Sequence, residues 1–275
     1  MFNHITIVGL GLLGGSLGLA IKEQELASSV TGIARKQETL NKALALKAID
    51  QGQLNLDPSI SDSDLIVLCA PVNQIIKDIS LLSHYIDKDT LVTDVGSTKV
   101  AITSAGHKYL SHFVGSHPLA GSEQSGIDFA NSNLFKNRTC IVTMDPQTNI
   151  SDLNKVEDFW VSLGSKVSSL SPAEHDRILS FTSHLPHMMA ANLLHSLALK
   201  DLEFVAQGFW DTSRLASGSP SLWTDICETN QTPLLEAIDS FETSLKTLKA
   251  LLKNKDKEAL CQWLKSAKKK RDSTL

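Results

Sequence analysis

The chain has no uninterrupted apolar run long enough to cross a bilayer, so no membrane-spanning helix is expected. It has little cysteine. The four residues, Cys69, Cys140, Cys227 and Cys261, lie far apart without metal or redox spacing. That excludes a disulfide framework and reads as reduced thiols in the cytoplasm. Basic charge is not in excess either: the formal net charge is -4, which argues against a nucleic-acid binder. The one basic run, Lys268-Lys269-Lys270-Arg271, falls at the end of the last helical pattern, where it offsets the helix dipole. The apolar N-terminus lacks the basic segment that opens a secretory signal. There is no internal repeat and no low-complexity segment. What is present is 275 residues with 42% hydrophobic content, room for one large domain or two modest ones around a proper core.

The most informative stretch is Ile5-Thr6-Ile7-Val8-Gly9-Leu10-Gly11-Leu12-Leu13-Gly14. A buried strand runs into G-x-G-x-x-G and a helix follows, the context in which this motif binds a dinucleotide. Gly9 allows the tight turn, Gly11 lets a pyrophosphate approach the backbone, and Gly14 lets the helix pack closely. The helix start, through Leu12 and Leu13, offers free N–H groups to the phosphates.

Strand and helix signals then alternate. Strands are expected at Val30 to Ala34, Asp64 to Ala70 (stopped by Pro71), Thr90 to Asp94 and Phe113 to Ser116, and the last ones at Thr139 to Met144 and Lys166 to Leu170. Helices fall around Leu40 to Ala48, Ile75 to Leu82 and Lys99 to Tyr109. This pattern predicts an α/β fold, a doubly wound, mostly parallel sheet of Rossmann type over residues 1–169. From residue 170 to 275 only helical patterns occur: Pro172 to Leu179, Met188 to Leu199, Leu202 to Phe209, Leu222 to Glu228, and a long one opening at Thr232-Pro233 as N-cap and N1. In that last helix Leu234, Ile238, Phe241, Leu245, Leu248 and Leu252 form a heptad-type seam. The seam fits packing inside an all-α domain or packing against a second subunit.

Cofactor choice turns on the end of the second strand. NAD sites usually carry an acidic residue there, about 20 residues past the glycines, to hold the ribose 2′-hydroxyl. This chain has Ala34-Arg35-Lys36, and no carboxylate before Glu38. A guanidinium and an ammonium suit a 2′-phosphate, so NADP is expected. The alternative is that Arg35 stacks on adenine and NAD also serves. Ala70 and Pro71, at the end of the third strong strand, complete the expected cofactor contacts.

Two polar clusters sit at strand ends, Thr93 to Lys99 and Gly115 to Glu123, where a doubly wound sheet binds its ligands. His117 is the best-placed general base, and Ser97 could bond to it or to a substrate hydroxyl. The bland readings are a core histidine and a helix N-cap. Lys99 reads as a helix-start residue rather than a catalytic lysine. His184 and His187 could suggest a metal pair, but Pro186 lies between them and no third ligand motif is near, so no metal is expected. Arg214 and Asp211 alone would read as a surface ion pair.

Val8 to Gly15, Asp94 to Lys99, Ser116 to Gly121, Ser183-His184-Leu185-Pro186-His187, and Gly208 to Arg214 followed by Pro220 and Trp223 to Ile226 together resemble the TyrA family, the prephenate and arogenate dehydrogenases. The match runs in order over nearly the whole chain. The resemblance implies a nucleotide domain followed by a helical domain that builds a homodimer. It also implies oxidative decarboxylation of prephenate (to 4-hydroxyphenylpyruvate) or arogenate (to tyrosine) in tyrosine biosynthesis. By it, His117 is the base, Ser97 its hydrogen-bonding helper, Arg214 the clamp on a substrate carboxylate and His187 a second substrate contact. His184 and Asp211 look like supports. Glu123 would either welcome the ammonium of arogenate or gate the pocket by pairing with an arginine. Two other readings remain. A β-hydroxyacid dehydrogenase of the 6-phosphogluconate dehydrogenase type would use a lysine in the helical domain, where this chain has histidines. A non-catalytic NADP sensor would lack the polar strand-end residues.

Overall fold

The computed structural model describes residues 2–121 and 124–273. They form two compact units that divide after Gln231.

The larger unit opens with β1 (Phe2–Val8), α1 (Leu12–Glu23), β2 (Ala27–Ile33), α2 (Gln37–Ala45), β3 (Gln51–Gln53), β4 (Leu65–Leu68), α3 (Val72–Leu82), β5 (Leu91–Asp94), α4 (Val100–Tyr109) and β6 (Phe113–Val114). The strands form one parallel sheet in the order β3-β2-β1-β4-β5-β6. Helices cover both faces because both faces of the central strands are apolar. Ile5, Ile7, Leu65 and Val67 point to one side, with Leu17 and Ile21 of α1. Val8, Ile66 and Leu68 point to the other, with Ile75 and Ile79 of α3 and Ile102 of α4.

A second, three-stranded sheet follows. β7 (Ser116–Pro118) runs antiparallel to β8 (Thr139–Thr143), and α5 (Ile150–Ser162) carries the chain across to β9 (Lys166–Leu170), parallel to β8. Asn149 caps α5 by accepting the Ser151 and Asp152 N–H groups at 2.8 and 3.3 Å. Fully buried Trp160 of α5 packs on Phe135 and Phe159 and donates its indole N–H to the Ser116 hydroxyl at 3.0 Å.

After Leu170 every element is helical. α6 (Pro172–Leu179) starts in a capping box between Ser171 and Glu174. It leads through one wide turn of π type, Ser180–His184, into α7 (Leu185–His195). Pro186 has no N–H to return to the preceding turn, which accounts for the loosened helix there. α8 (Gln207–Ser213), a short turn Arg214–Ser217 and α9 (Pro220–Thr229) complete the unit. The smaller unit holds most of α10 (Gln231–Lys253), then α11 (Lys257–Asp272), which Asp256 caps by accepting the Ala259 N–H. The last turn of α11 carries Lys269, Lys270 and Arg271.

The structure corrects several element boundaries. β3 is an addition to the expected strands, since Gln51-Gly52-Gln53 has no apolar pattern; it is an edge strand, paired among the described residues with β2. The strand expected over Phe113 to Ser116 is two strands in two sheets. Gly115 stands at the break, where a Cβ would meet the Thr143 hydroxyl at 2.6 Å. The helix expected over Leu202 to Phe209 is broken at Val205, and α8 starts afresh at Gln207. α10 begins at Gln231, so Thr232 and Pro233 lie in its first turn rather than at N-cap and N1.

Candidate active site

β1 ends at Val8, and Gly9 turns the chain with φ of +100°; a Cβ there would meet the Cys69 carbonyl oxygen at 2.5 Å. A Cβ on Gly14 would lie 1.9 Å from the Gly9 oxygen, so the first turn of α1 sits directly on the loop. Gly11, the N-cap of α1, is different: a Cβ there would find nothing within 4 Å. That open side, with the unpaired first amides of α1 at Leu12 and Leu13, fits a dinucleotide pyrophosphate. The cradle lies between β1 and β4, where the strand order reverses. Ala70 and Pro71 stand at the end of β4 on the same edge. At the end of β2, Ala34 is buried and donates its N–H to Gln53 at 3.1 Å. Arg35 and Lys36 are exposed, and neither is in an ion pair with another described residue.

His117 stands on β7, half-buried, beside the ends of β5 and β6. Buried side chains hold this strand in place. The Asp94 carboxylate accepts the Gly96 N–H at 2.7 Å and the Ser116 N–H at 3.2 Å. Fully buried Lys99 pairs with Asp94 and donates to the Ser116 carbonyl at 2.7 Å. Burial drives both members of the Asp94–Lys99 pair toward their neutral forms, and their mutual attraction opposes it. With 0% exposure, Lys99 has no access to a substrate.

His117 Nδ1 lies 2.8 Å from His175 Nε2, and His175 Nδ1 lies 2.8 Å from Asp176 Oδ1. Burial pushes His117 well below its ordinary pKa, with the charges of His175, Lys99 and His184 adding to the effect. Burial lowers His175 too, although Asp176 opposes it. Ser97 is half-buried in the turn before α4, and its hydroxyl makes no hydrogen bond among the described residues. The inner nitrogen of His117 is therefore taken by His175, not by Ser97.

The helical part carries a second group of ring side chains. The His187 ring stacks on Trp223 with centroids 3.5 Å apart and planes 15° from parallel. Gly218 allows it: a Cβ would come within 2.6 Å of the Trp223 indole nitrogen and 2.8 Å of His187 Cε1. His184 is buried, meets Trp223 edge-on and accepts at Nδ1 from the Asn230 amide at 2.9 Å. Burial pushes its pKa down to about 4. Asn230 also donates to the Asp176 carbonyl at 2.9 Å, joining the two histidine groups. The wide turn between α6 and α7 matters here, since one extra residue per turn changes which side chains share a face. Arg214 is exposed at the start of the turn that packs on α7, the helix of His187. Asp211 is exposed and accepts from Gln207 at 2.8 Å. Glu123 lies outside the described residues.

His175 and Asp176 escaped the sequence reading. Ser171-Pro172-Ala173-Glu174 reads as an ordinary helix start, and His175-Asp176 as its polar continuation. One signal was available: helical spacing sets both residues on the side of Leu179 and Ser180, and an ionisable pair on a buried face needs a reason.

Residues 17–169 match the family model for the prephenate dehydrogenase nucleotide-binding domain, and residues 171–266 match the prephenate dehydrogenase dimerization domain. The prephenate dehydrogenase of Bacillus subtilis is 32% identical over 99% of this chain and 76% of its own length. The fold of prephenate dehydrogenase from A. aeolicus, solved with hydroxyphenyl propionate and NAD+, superposes with a TM-score of 0.94 at 32% identity, covering 100% of this chain and 99% of that one. Synechocystis arogenate dehydrogenase gives a TM-score of 0.87 at 31% identity, covering 99% and 100%.

Proposed function

The chain belongs to the prephenate dehydrogenase family, and from that premise we propose that it oxidises and decarboxylates prephenate or arogenate, with NADP as hydride acceptor, on the route to tyrosine. It is a nicotinamide-dependent oxidoreductase. The observation that carries the reading is the placement of His117: a half-buried imidazole at the carboxyl edge of the sheet that also bears the open Gly11 cradle.

The cradle at Gly9, Gly11 and Gly14 holds the pyrophosphate, and Arg35 with Lys36 holds the 2′-phosphate. A bound nicotinamide supplies the acceptor for the C4 hydride of the cyclohexadiene. His117 takes the proton of the 4-hydroxyl, so the C4–O bond becomes a carbonyl. The bond from the ring to its carboxylate then breaks, carbon dioxide leaves and the ring becomes aromatic. Ser97, with its hydroxyl uncommitted, bonds to the substrate 4-hydroxyl and keeps it on His117. Arg214 holds a substrate carboxylate in its planar fork. The His187–Trp223 stack forms an apolar wall against the ring. His184 and Asp211 keep that wall and the Arg214 segment in position. Among the described residues no group of three or more His, Cys, Asp or Glu side chains is placed to hold a metal ion.

The helices after residue 170 shape the substrate side and join two copies of the chain. Phe241, Leu245 and Leu252 on α10 are 40, 52 and 57% exposed, an apolar row that water does not favour. Sedimentation velocity should report a dimer. No helix among the described residues is long and apolar enough to cross a membrane. A cytoplasmic setting accords with four free cysteines.

The test is direct. Purified protein is mixed with NADP or NAD and with prephenate or arogenate, and absorbance at 340 nm is followed. Reduction that needs substrate, and that His117→Asn lowers by about 10²–10⁴-fold with the fold intact, meets the expectation for a general base. Near-normal turnover in His117→Asn at neutral pH would remove His117 from the mechanism.

A further inference from the structure

We propose that Asp176 and His175 are positioning residues which lock His117 in its Nδ1–H tautomer and leave Nε2 as the bare nitrogen that receives the substrate proton. The inference rests on the reading of His117 as the base, and it assigns roles to two residues that touch neither substrate nor cofactor.

Asp176, at the inner end of the relay, is 1% exposed. Its carboxylate accepts the Lys99 N–H at 2.7 Å on Oδ1 and the Val100 N–H at 2.9 Å on Oδ2. These amides open α4, so the carboxylate is anchored between two helices and acts as an acceptor on both oxygens. His175 Nδ1, 2.8 Å from Oδ1, must then be the donor. The His175 ring is fully buried, and burial holds it neutral, with a single ring hydrogen. That hydrogen is spent on Asp176, so His175 Nε2 carries only a lone pair. The 2.8 Å contact to His117 Nδ1 requires one hydrogen, and His117 alone can provide it. His117 is thereby Nδ1–H, with Nε2 free.

The charged and titratable groups facing the pair reinforce this. Burial, with the Lys99 charge, disfavours a second proton on His117 in the resting enzyme. Asp176 and Asp94 favour a charged His175, and burial together with Lys99 outweighs them. Lys99 and Asp94 form a closed ion pair that offers His117 no competing carboxylate. An isolated neutral histidine prefers the opposite tautomer, whose Nε2 is occupied and cannot act as a base. Without the relay, the best-placed imidazole in the site would present the wrong nitrogen. When Nε2 takes the proton, the bond from His117 Nδ1–H to His175 strengthens, and the Asp176 charge lies one ring beyond.

The experiment is nitrogen-detected NMR of the full-length protein labelled with 15N-histidine, with His117 assigned from the spectrum of His117→Asn. Wild type should show His117 neutral with its proton on Nδ1. His175→Leu removes the acceptor: the proton should move to Nε2, and kcat should fall by about 10²-fold or more with KM changed less than about twofold. His175→Gln places an amide oxygen where Nε2 stood, so it should restore the Nδ1–H tautomer and part of kcat. A wild-type His117 protonated on Nε2, or on both nitrogens at neutral pH, overturns the proposal even if His175→Leu does not fold. So does a His175→Gln protein that is folded, keeps Nδ1–H and yet is as slow as His175→Leu. The two readings fail separately. A protein with the expected tautomer but no turnover on either substrate refutes the proposed reaction and leaves the relay. A protein that turns over with His117 Nε2–H refutes the relay and leaves the reaction.

Discussion

Arg35→Ala should convert a preference for NADP into indifference, and the size of the change follows from where Arg35 stands. The residue follows β2, exposed, in no ion pair with another described residue, beside a buried Ala34 that offers no carboxylate to compete. A charge-assisted bond to a phosphate is worth about 1.5–3 kcal/mol. Exposure to water and salt holds Arg35 to the lower part of that range. Since each 1.4 kcal/mol is a factor of ten, kcat/KM for NADP should fall by roughly 10- to 50-fold, and kcat/KM for NAD by less than about threefold. Lys36 keeps part of the attraction, so Arg35→Ala with Lys36→Ala should lose more than either alone. The assay is steady-state reduction at saturating substrate with each cofactor at low and high ionic strength. Salt should erode the NADP advantage of the wild type more than that of Arg35→Ala, and leave the double variant nearly unchanged. The reasoning is refuted if the wild type prefers NAD. It is also refuted if Arg35→Ala depresses both cofactors equally, which would mean the guanidinium stacks on adenine instead of binding phosphate.

Four further outcomes are expected. His184 drops from an ordinary histidine value near 6.5 in the unfolded chain to about 4 when folded, so the unfolded state binds the extra proton; folding stability should be full above about pH 6.5 and lose up to about 3 kcal/mol as pH falls toward 4. Urea melts across that range should show the slope, and His184→Phe should flatten it. Trp160→Ala empties a fully buried site and removes one of the hydrogen bonds to the Ser116 hydroxyl, and should cost about 3–5 kcal/mol in the same melts; a loss under 1 kcal/mol would contradict the packing described. Gly218→Ala pushes a methyl into the His187–Trp223 stack, which should raise the substrate KM severalfold while cofactor KM holds. Arg214→Ala should raise the substrate KM with a smaller effect on kcat, because a carboxylate clamp acts in ground and transition states alike, and an unchanged KM would remove that role.

Much of this protein is legible in its residues alone. The glycines mark the nucleotide cradle in the sequence, because the turn at Gly9 and the close packing at Gly14 leave no room for a Cβ, while Gly11 keeps its side open. The alternation of doubly apolar strands with amphipathic helices determines a parallel sheet covered on both faces, and Ser116-His117-Pro118 follows directly on its last strand. Periodicity is silent where a segment has little apolar content, which is why β3 was invisible, and it cannot say which sheet a strand joins, which is why β6 and β7 read as one. The environment of His117 belongs to the tertiary structure. His175 lies 58 residues further along, and nothing in either segment names the other. Their contact depends on α6 packing beside β8 and α4, on Asp176 tying α6 to the start of α4, and on Asn230 reaching back from the end of α9. Glycines and apolar repeats act on the chain within a few residues, and so leave a local trace. A buried polar pair is made by elements meeting at a distance, and only the packed molecule decides which nitrogen faces which.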